Sequence, residues 1–194
     1  MTPELESFLE RLLRDGRQHD AALSDRRERL RNVEPETARL LAVLVLATSA
    51  KRVLELGTSN GYSTLWLADA VASTGGRVTT VENDEGRAAM AAENFARAGL
   101  ASVIELRVED AGTVLTASPH DAWDLVFLDA ERDRYVAYWP EVVRCTGRPG
   151  LIAVDNVLSH ADELVEFTGL VAQDPSVTSA LVPVGAGVLL ATKS

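Results

Sequence analysis

Apolar residues recur at helical spacing from the first turns of the chain. Leu5, Phe8, Leu9, Leu12 and Leu13 share one face, which predicts an amphipathic helix over residues 3–14. A second helix opens at Glu34-Pro35-Glu36, where proline suits a first turn and the acids suit the positive end of the helix dipole. The apolar run 38–50 is interrupted by Arg39, Thr48 and Ser49. It is shorter than the roughly 18 residues a membrane span requires, so it reads as a buried helix.

From Lys51 onward, short apolar runs alternate with helical stretches. Strands are expected at 52–56, 77–81, 103–108, 123–128 and 151–154, and helices at 62–72, 84–98, 111–117, 134–145 and 161–173. This rhythm implies a doubly wound α/β fold, a mostly parallel sheet covered on both faces. The final runs, 177–184 and 187–192, are separated only by Gly185-Ala186. So short a gap makes a hairpin, and the last strand is expected to run antiparallel to its neighbour. The whole chain, 1–194, reads as one domain, with a helical N-terminal extension at 1–50 and an α/β core at 51–194.

Composition narrows the partners. The 194 residues are 46% hydrophobic and 25% charged, with a net charge of -10. Such a field opposes nucleic acid and anionic membranes but is compatible with small ligands and divalent cations. The segment 11–31 carries seven arginines against four acids and reads as a solvated helical face. The single cysteine, Cys145, excludes an intrachain disulfide and reads as a structural thiol. The N-terminus lacks the basic start and apolar core of a signal peptide, so a cytoplasmic protein is expected.

Candidate chemistry collects at the carboxyl ends of the expected strands, where open α/β sheets bind ligands. Gly57 and Gly61 bracket the first turn, in Glu55-Leu-Gly-Thr-Ser-Asn-Gly-Tyr-Ser63. The free N–H groups of the following helix would face a ligand. The spacing is not the G-x-G-x-x-G of a dinucleotide site. Glu82, with Asn83 after it, ends the second strand, where an acid can accept hydrogen bonds from both ribose hydroxyls. Asp110-Ala111 follows the third strand and would flank an adenine or cap a helix. Asp129 ends the fourth strand, and Asp155-Asn156 ends the fifth. Two carboxylates and an amide oxygen form a hard donor set, suited to Mg²⁺ and also to Mn²⁺ or Ca²⁺.

Together these motifs resemble the class I S-adenosylmethionine-dependent methyltransferases. They are most similar to the small cation-dependent O-methyltransferases that include the catechol and caffeoyl-CoA enzymes. The resemblance covers roughly residues 32–192. It implies a Rossmann-like, seven-stranded sheet, a methyl transfer from S-adenosyl-L-methionine to a small hydroxylated acceptor, and a homodimer. It also implies site roles. Asn32-Val33, Glu55, Gly57 and Ser63 would meet the methionine portion, Glu82 the ribose, and Asp110 and Ala111 the adenine. Asp129, Asp155 and Asn156 would hold the divalent cation.

One residue departs from the family pattern. The lysine usual three residues beyond the first metal-binding aspartate, where it acts as base, is Arg132 here. A guanidinium with a pKa above about 12 stabilises a phenolate but is a poor base. His160 is the alternative proton acceptor, set against a reading as a surface histidine beside Ser159. Two other functions stay open at this stage: a metal-independent methyltransferase, and a non-catalytic cofactor-binding protein. Tyr135, Tyr138 and Trp139 either border a planar substrate or pack in the core.

Overall fold

A computed structural model describes residues 1–25 and 28–193. Arg26 and Arg27 of the arginine-rich segment, and Ser194, lie outside the described residues. The strands are β1 (Arg52–Leu56), β2 (Arg77–Glu82), β3 (Ile104–Val108), β4 (Trp123–Leu128), β5 (Thr146–Val154), β6 (Val177–Val182) and β7 (Val188–Lys193). They form one seven-stranded sheet in the order β3-β2-β1-β4-β5-β7-β6. The first five strands pair in parallel, while β7 runs antiparallel to both β5 and β6. The order reverses between β1 and β4, and a crevice opens there at the carboxyl edge.

The helices are α1 (Pro3–Ala21), α2 (Pro35–Thr48), α3 (Tyr62–Thr74), α4 (Glu85–Arg97), α5 (Ala111–Ala117), α6 (Tyr135–Cys145) and α7 (Val165–Gln173). Strand alternation sorts the core into two layers. Val53, Leu125, Phe127 and Ala153 point toward α1, α2, α3 and α4. Leu54, Leu56, Val126, Leu128, Ile152 and Val154 point toward α5, α6 and α7. Successive side chains of a strand face opposite sides, so near-continuous apolar strands are what a sheet covered twice demands. No helix among the described residues is long and apolar enough to cross a membrane.

Three elements differ from the sequence pattern. Helix α1 continues to Ala21, beyond the last apolar repeat at Leu13. Gly16 is buried in that continuation, and a Cβ there would sit 2.6 Å from Asn32 Nδ2, so a close loop contact holds the extra turns. The expected helix at 161–173 is divided into a 3₁₀ turn, Ala161–Glu163, and α7, with buried Leu164 between them at φ -112°. Strand β5 starts at Thr146 rather than at residue 151, because Thr146 pairs with Trp123 of β4 ahead of a break in register and Gly150 pairs with Lys193 of β7.

Two internal features position the first turn. Gly61 has φ +84°, and a Cβ there would lie 2.4 Å from the Phe95 ring of α4. Glu55 of β1 is fully buried and ties three elements together. Its Oε2 accepts from the hydroxyls of Thr64 in α3 and Thr80 in β2 (2.6 Å for Thr80), and the Thr80 hydroxyl lies 2.6 Å from that of Thr58. Its Oε1 has no partner. Burial pushes the carboxyl up to about 7, against the hydroxyl hydrogen bonds and with some repulsion from Glu82.

A Gly61→Ala substitution combines left-handed strain with overpacking against Phe95. It should cost about 2–4 kcal/mol in urea unfolding. Glu55 makes stability depend on pH. Its folded-state pKa lies above the ordinary 4.5, so the native state binds the proton more tightly than the unfolded chain. That stabilisation is complete below pH ~4.5 and is lost as pH rises through about 7. The stability of Glu55→Gln relative to wild type should therefore rise by about 2–3 kcal/mol between roughly pH 5 and 8, as measured by denaturant titration.

Candidate functional site

The carboxyl edge of the sheet opens into a cleft of about 450 Å³. Its walls come from residues 29–34, the turn after β1, the ends of β2 to β5, the segment 129–134, and Ala186 in the β6–β7 loop. The N-terminal stretch is therefore part of the cleft wall as well as an extension of the core.

The first turn is held by backbone contacts. The Gly57 N–H donates to Val81 O at 3.0 Å, and the Gly61 N–H to Thr58 O at 2.9 Å. Asn94 of α4 donates its amide to Asn60 O at 2.9 Å. Gly57 has φ +100°, and a Cβ on it would fall 2.3 Å from the carbonyl oxygen of Asp129. This position admits only glycine, because the turn and the end of β4 touch backbone to backbone. Val33 and Ser63 line the cleft with 4% and 6% of their surface exposed. Glu55, expected against the ligand, instead lies behind the turn and braces it. Asn32 and Asn60 line the cleft, and their side-chain amides have buried atoms that lack hydrogen-bond partners among the described residues: both polar atoms of Asn32, and Nδ2 of Asn60. Unpaired buried amides are costly, so this end of the cleft suits a polar ligand.

Glu82 also lines the cleft, with Asn83 beside it. Its Oε2 accepts from the Ser59 N–H at 2.8 Å, and its Oε1 from the N–H groups of Asn83 and Asp84 at 3.1 Å. Three of its roughly four lone-pair positions are thus engaged by backbone. Asp110 is the N-cap of α5. Its Oδ1 caps α5 through the Thr113 N–H at 3.0 Å, and with Ala111 it lines the cleft. Of the three aromatics on α6, Tyr135 and Trp139 are core residues, 1% and 2% exposed. Tyr138 lines the cleft near Asp110 and Gly112. Helical spacing separates it from the other two, but which face meets the cleft depends on how α6 docks.

At the other end, the structure brings Asp129, Asp155 and Asn156 together. Asn156 Nδ2 lies 3.1 Å from Asp129 Oδ1 and 3.2 Å from Asp155 Oδ2. Asn156 adopts φ +67°, a conformation asparagine tolerates, and its neighbours Val157 and Leu158 bond to the β6–β7 loop. Burial and the charges of Asp155 and Glu55 push Asp129 well above the usual carboxylate range, while Arg31 and Arg132 oppose the shift. Burial also raises Asp155, to about 6, against hydrogen bonds from the Asn156 backbone and the Thr37 hydroxyl. Two buried acids pushed up in this way would be relieved by a cation. Rotating the Asn156 carboxamide exchanges its nitrogen for oxygen and completes a hard three-oxygen set. The donor set therefore fits a divalent cation, although no group of three or more His, Cys, Asp or Glu side chains among the described residues is arranged to hold a metal.

Arg132 and His160 flank this set. Arg132 Nε donates to Glu163 Oε2 at 2.8 Å, and its side chain is 14% exposed. The Nδ1 of His160 lies 2.8 Å from Ser159 Oγ, and the His160 backbone N–H donates to Asn156 O at 3.0 Å. Cleft residues that the sequence motifs do not single out include Arg29, Arg31, Glu109 and Ala186. They come from loops, and nothing in their local pattern marks them.

The chain matches the O-methyltransferase family across residues 6–194. It is 38% identical over 168 residues to the catechol O-methyltransferase of Mycobacterium tuberculosis, which covers 84% of this chain and 76% of that protein. It is 37% identical over 139 residues to a catechol O-methyltransferase of Niastella koreensis, covering 70% of this chain and 62% of that relative. Its structure is similar to that of an O-methyltransferase from Bacillus cereus in complex with SAH, with a TM-score of 0.82 and 29% identity over 97% of this chain and 91% of that one. The chain belongs to the class I S-adenosylmethionine-dependent O-methyltransferase family.

Proposed function

We propose that the acceptor of this O-methyltransferase is a small phenolic, catechol-like compound, and that a divalent cation, Mg²⁺ or else Mn²⁺ or Ca²⁺, assists the transfer. The observation that carries this reading is the meeting of Asp129, Asp155 and Asn156 within hydrogen-bond distance, directly behind the Gly57 turn. The relatives named catechol O-methyltransferases support it. We take the whole chain as one catalytic domain, because residues 29–34 and the strand ends share one cleft.

In this reading Val33, Gly57 and Ser63 hold the methionine portion of the donor, with Glu55 fixing the turn from behind. Glu82 and Asn83 meet the ribose, and Asp110 and Ala111 the adenine. The bound donor supplies a sulfonium methyl that an acceptor oxygen attacks in line. The cation, when bound by Asp129, Asp155 and Asn156, supplies a Lewis acid that eases loss of the acceptor proton. Arg132 contributes the positive field of a guanidinium beside the reacting oxygen. Its bond to Glu163 Oε2 holds the guanidinium in place at no cost to the reaction step. His160, in the same cleft, is assigned to receive the proton.

Turnover of catechol with S-adenosylmethionine should require added Mg²⁺ and stop in excess chelator. Unchanged turnover in chelator would remove the cation from the mechanism. Asp155→Asn should lower kcat by roughly 10²-fold or more while the donor still binds by calorimetry.

We also propose that two copies associate through α2, where Val43 and Leu46 are 58% and 49% exposed. Light scattering should return twice the chain mass, and Val43→Glu should halve it.

A further inference from the structure

We propose that the acceptor carries a carboxylate remote from its reacting hydroxyl, and that Arg31 binds it. The inference rests on the phenolic reading above and names the substrate class more narrowly.

Arg31 is held in an unusual way. Its φ is +50°, a left-handed conformation that a long side chain rarely adopts. Two clamps keep it there. The carboxylate of Asp20, near the end of α1, accepts from the N–H groups of Leu30 and Arg31 at 2.7 and 2.8 Å. On the other side, Ser59 of the first turn donates its hydroxyl to Leu30 O at 2.6 Å. Strain retained by such clamps points toward function when the residue faces a ligand cleft. Arg31 does line the cleft, and its charge reaches Asp129.

The pairing of the charges around it shows that Arg31 is open to exchange with a ligand. Arg132 is engaged by Glu163 at 2.8 Å and is largely buried. Glu34 is paired with Arg17 at 2.7 Å. Arg31 faces Glu131 at 3.6 Å, longer than a hydrogen bond, with the two side chains 38% and 68% exposed. An exposed pair of that length is weak and readily exchanged. A ligand carboxylate can take the place of Glu131 and form the short bidentate pair that guanidinium favours. The net charge of -10 sharpens the requirement. An anionic acceptor is repelled by most of this surface, so it needs a local cation at the mouth of the cleft.

The test compares 3,4-dihydroxybenzoate with its methyl ester and with catechol, using the whole protein with S-adenosylmethionine and Mg²⁺. The free acid should exceed the ester in kcat/KM by about tenfold. Arg31→Gln should cost the acid about tenfold, mostly through KM, and several times more than it costs the ester. Glu131→Gln removes the competing carboxylate and should lower KM for the acid, which keeps the proposal testable if the Arg31 variant folds poorly. Equal turnover of acid and ester, an equal loss on both in Arg31→Gln, or a higher KM for the acid in Glu131→Gln would overturn it. If none of the three acceptors is methylated while the donor binds, the phenolic reading fails first and this inference falls with it.

Discussion

The close approach of Gly57 to Asp129 is the constraint on which the site depends. Asp129 donates its N–H to Leu56 O at 2.9 Å, continuing the β1–β4 ladder one step past the strand ends. The turn after β1 then rests on the carbonyl of Asp129, with space for a hydrogen atom but not for a methyl group. The turn after β1 and the cluster of Asp129, Asp155 and Asn156 are thereby brought within one backbone contact of each other. A methyl transfer needs its two reactants aligned within a few tenths of an ångström, and a rigid sheet edge provides such positioning better than loops do.

Electrostatics divides this small site into a floor and a rim. The floor holds Asp129 and Asp155, with Glu55 behind the turn, three acids that burial pushes above their ordinary range. Removed from water and close together, they disfavour one another's charged forms, and a cationic ligand or metal ion would offset that repulsion. The rim carries Arg31 and Arg132, each held by an acid of its own, Glu131 and Glu163. The Arg132 pair is short and the Arg31 pair longer, so the two guanidiniums differ in how firmly they are held rather than in residue type.

Much of the site was legible because it sits where short motifs meet strand ends. The residues around Gly57, and Glu82, Asp110, Asp129 and Asp155, all fall at the carboxyl edge that the alternating pattern located. The less legible parts are those whose placement depends on distant packing. Nothing in the polar stretch after Leu13 announces that α1 continues, because the contact that holds it is between Gly16 and Asn32. Glu55 belongs to the signature motif, yet its bonds to Thr64 and Thr80 turn it inward. Tyr138 faces the cleft while Tyr135 and Trp139 pack against Phe167, a choice made by how α6 docks on α7.

The sequence by itself determined the alternation of strands and helices, the reversed last strand, and the identities of the groups at the sheet edge. Hydrophobic period and glycine spacing are local properties, and they specify local structure and a fold class. Only the tertiary structure decided which of those groups meet and how each is held. The 3.1 Å contact of Asn156 with Asp129, the inward turn of Glu55, and the loose pairing of Arg31 across the mouth join residues far apart in the chain. Such contacts follow from the register and docking of whole elements, for which a single sequence carries no local signal.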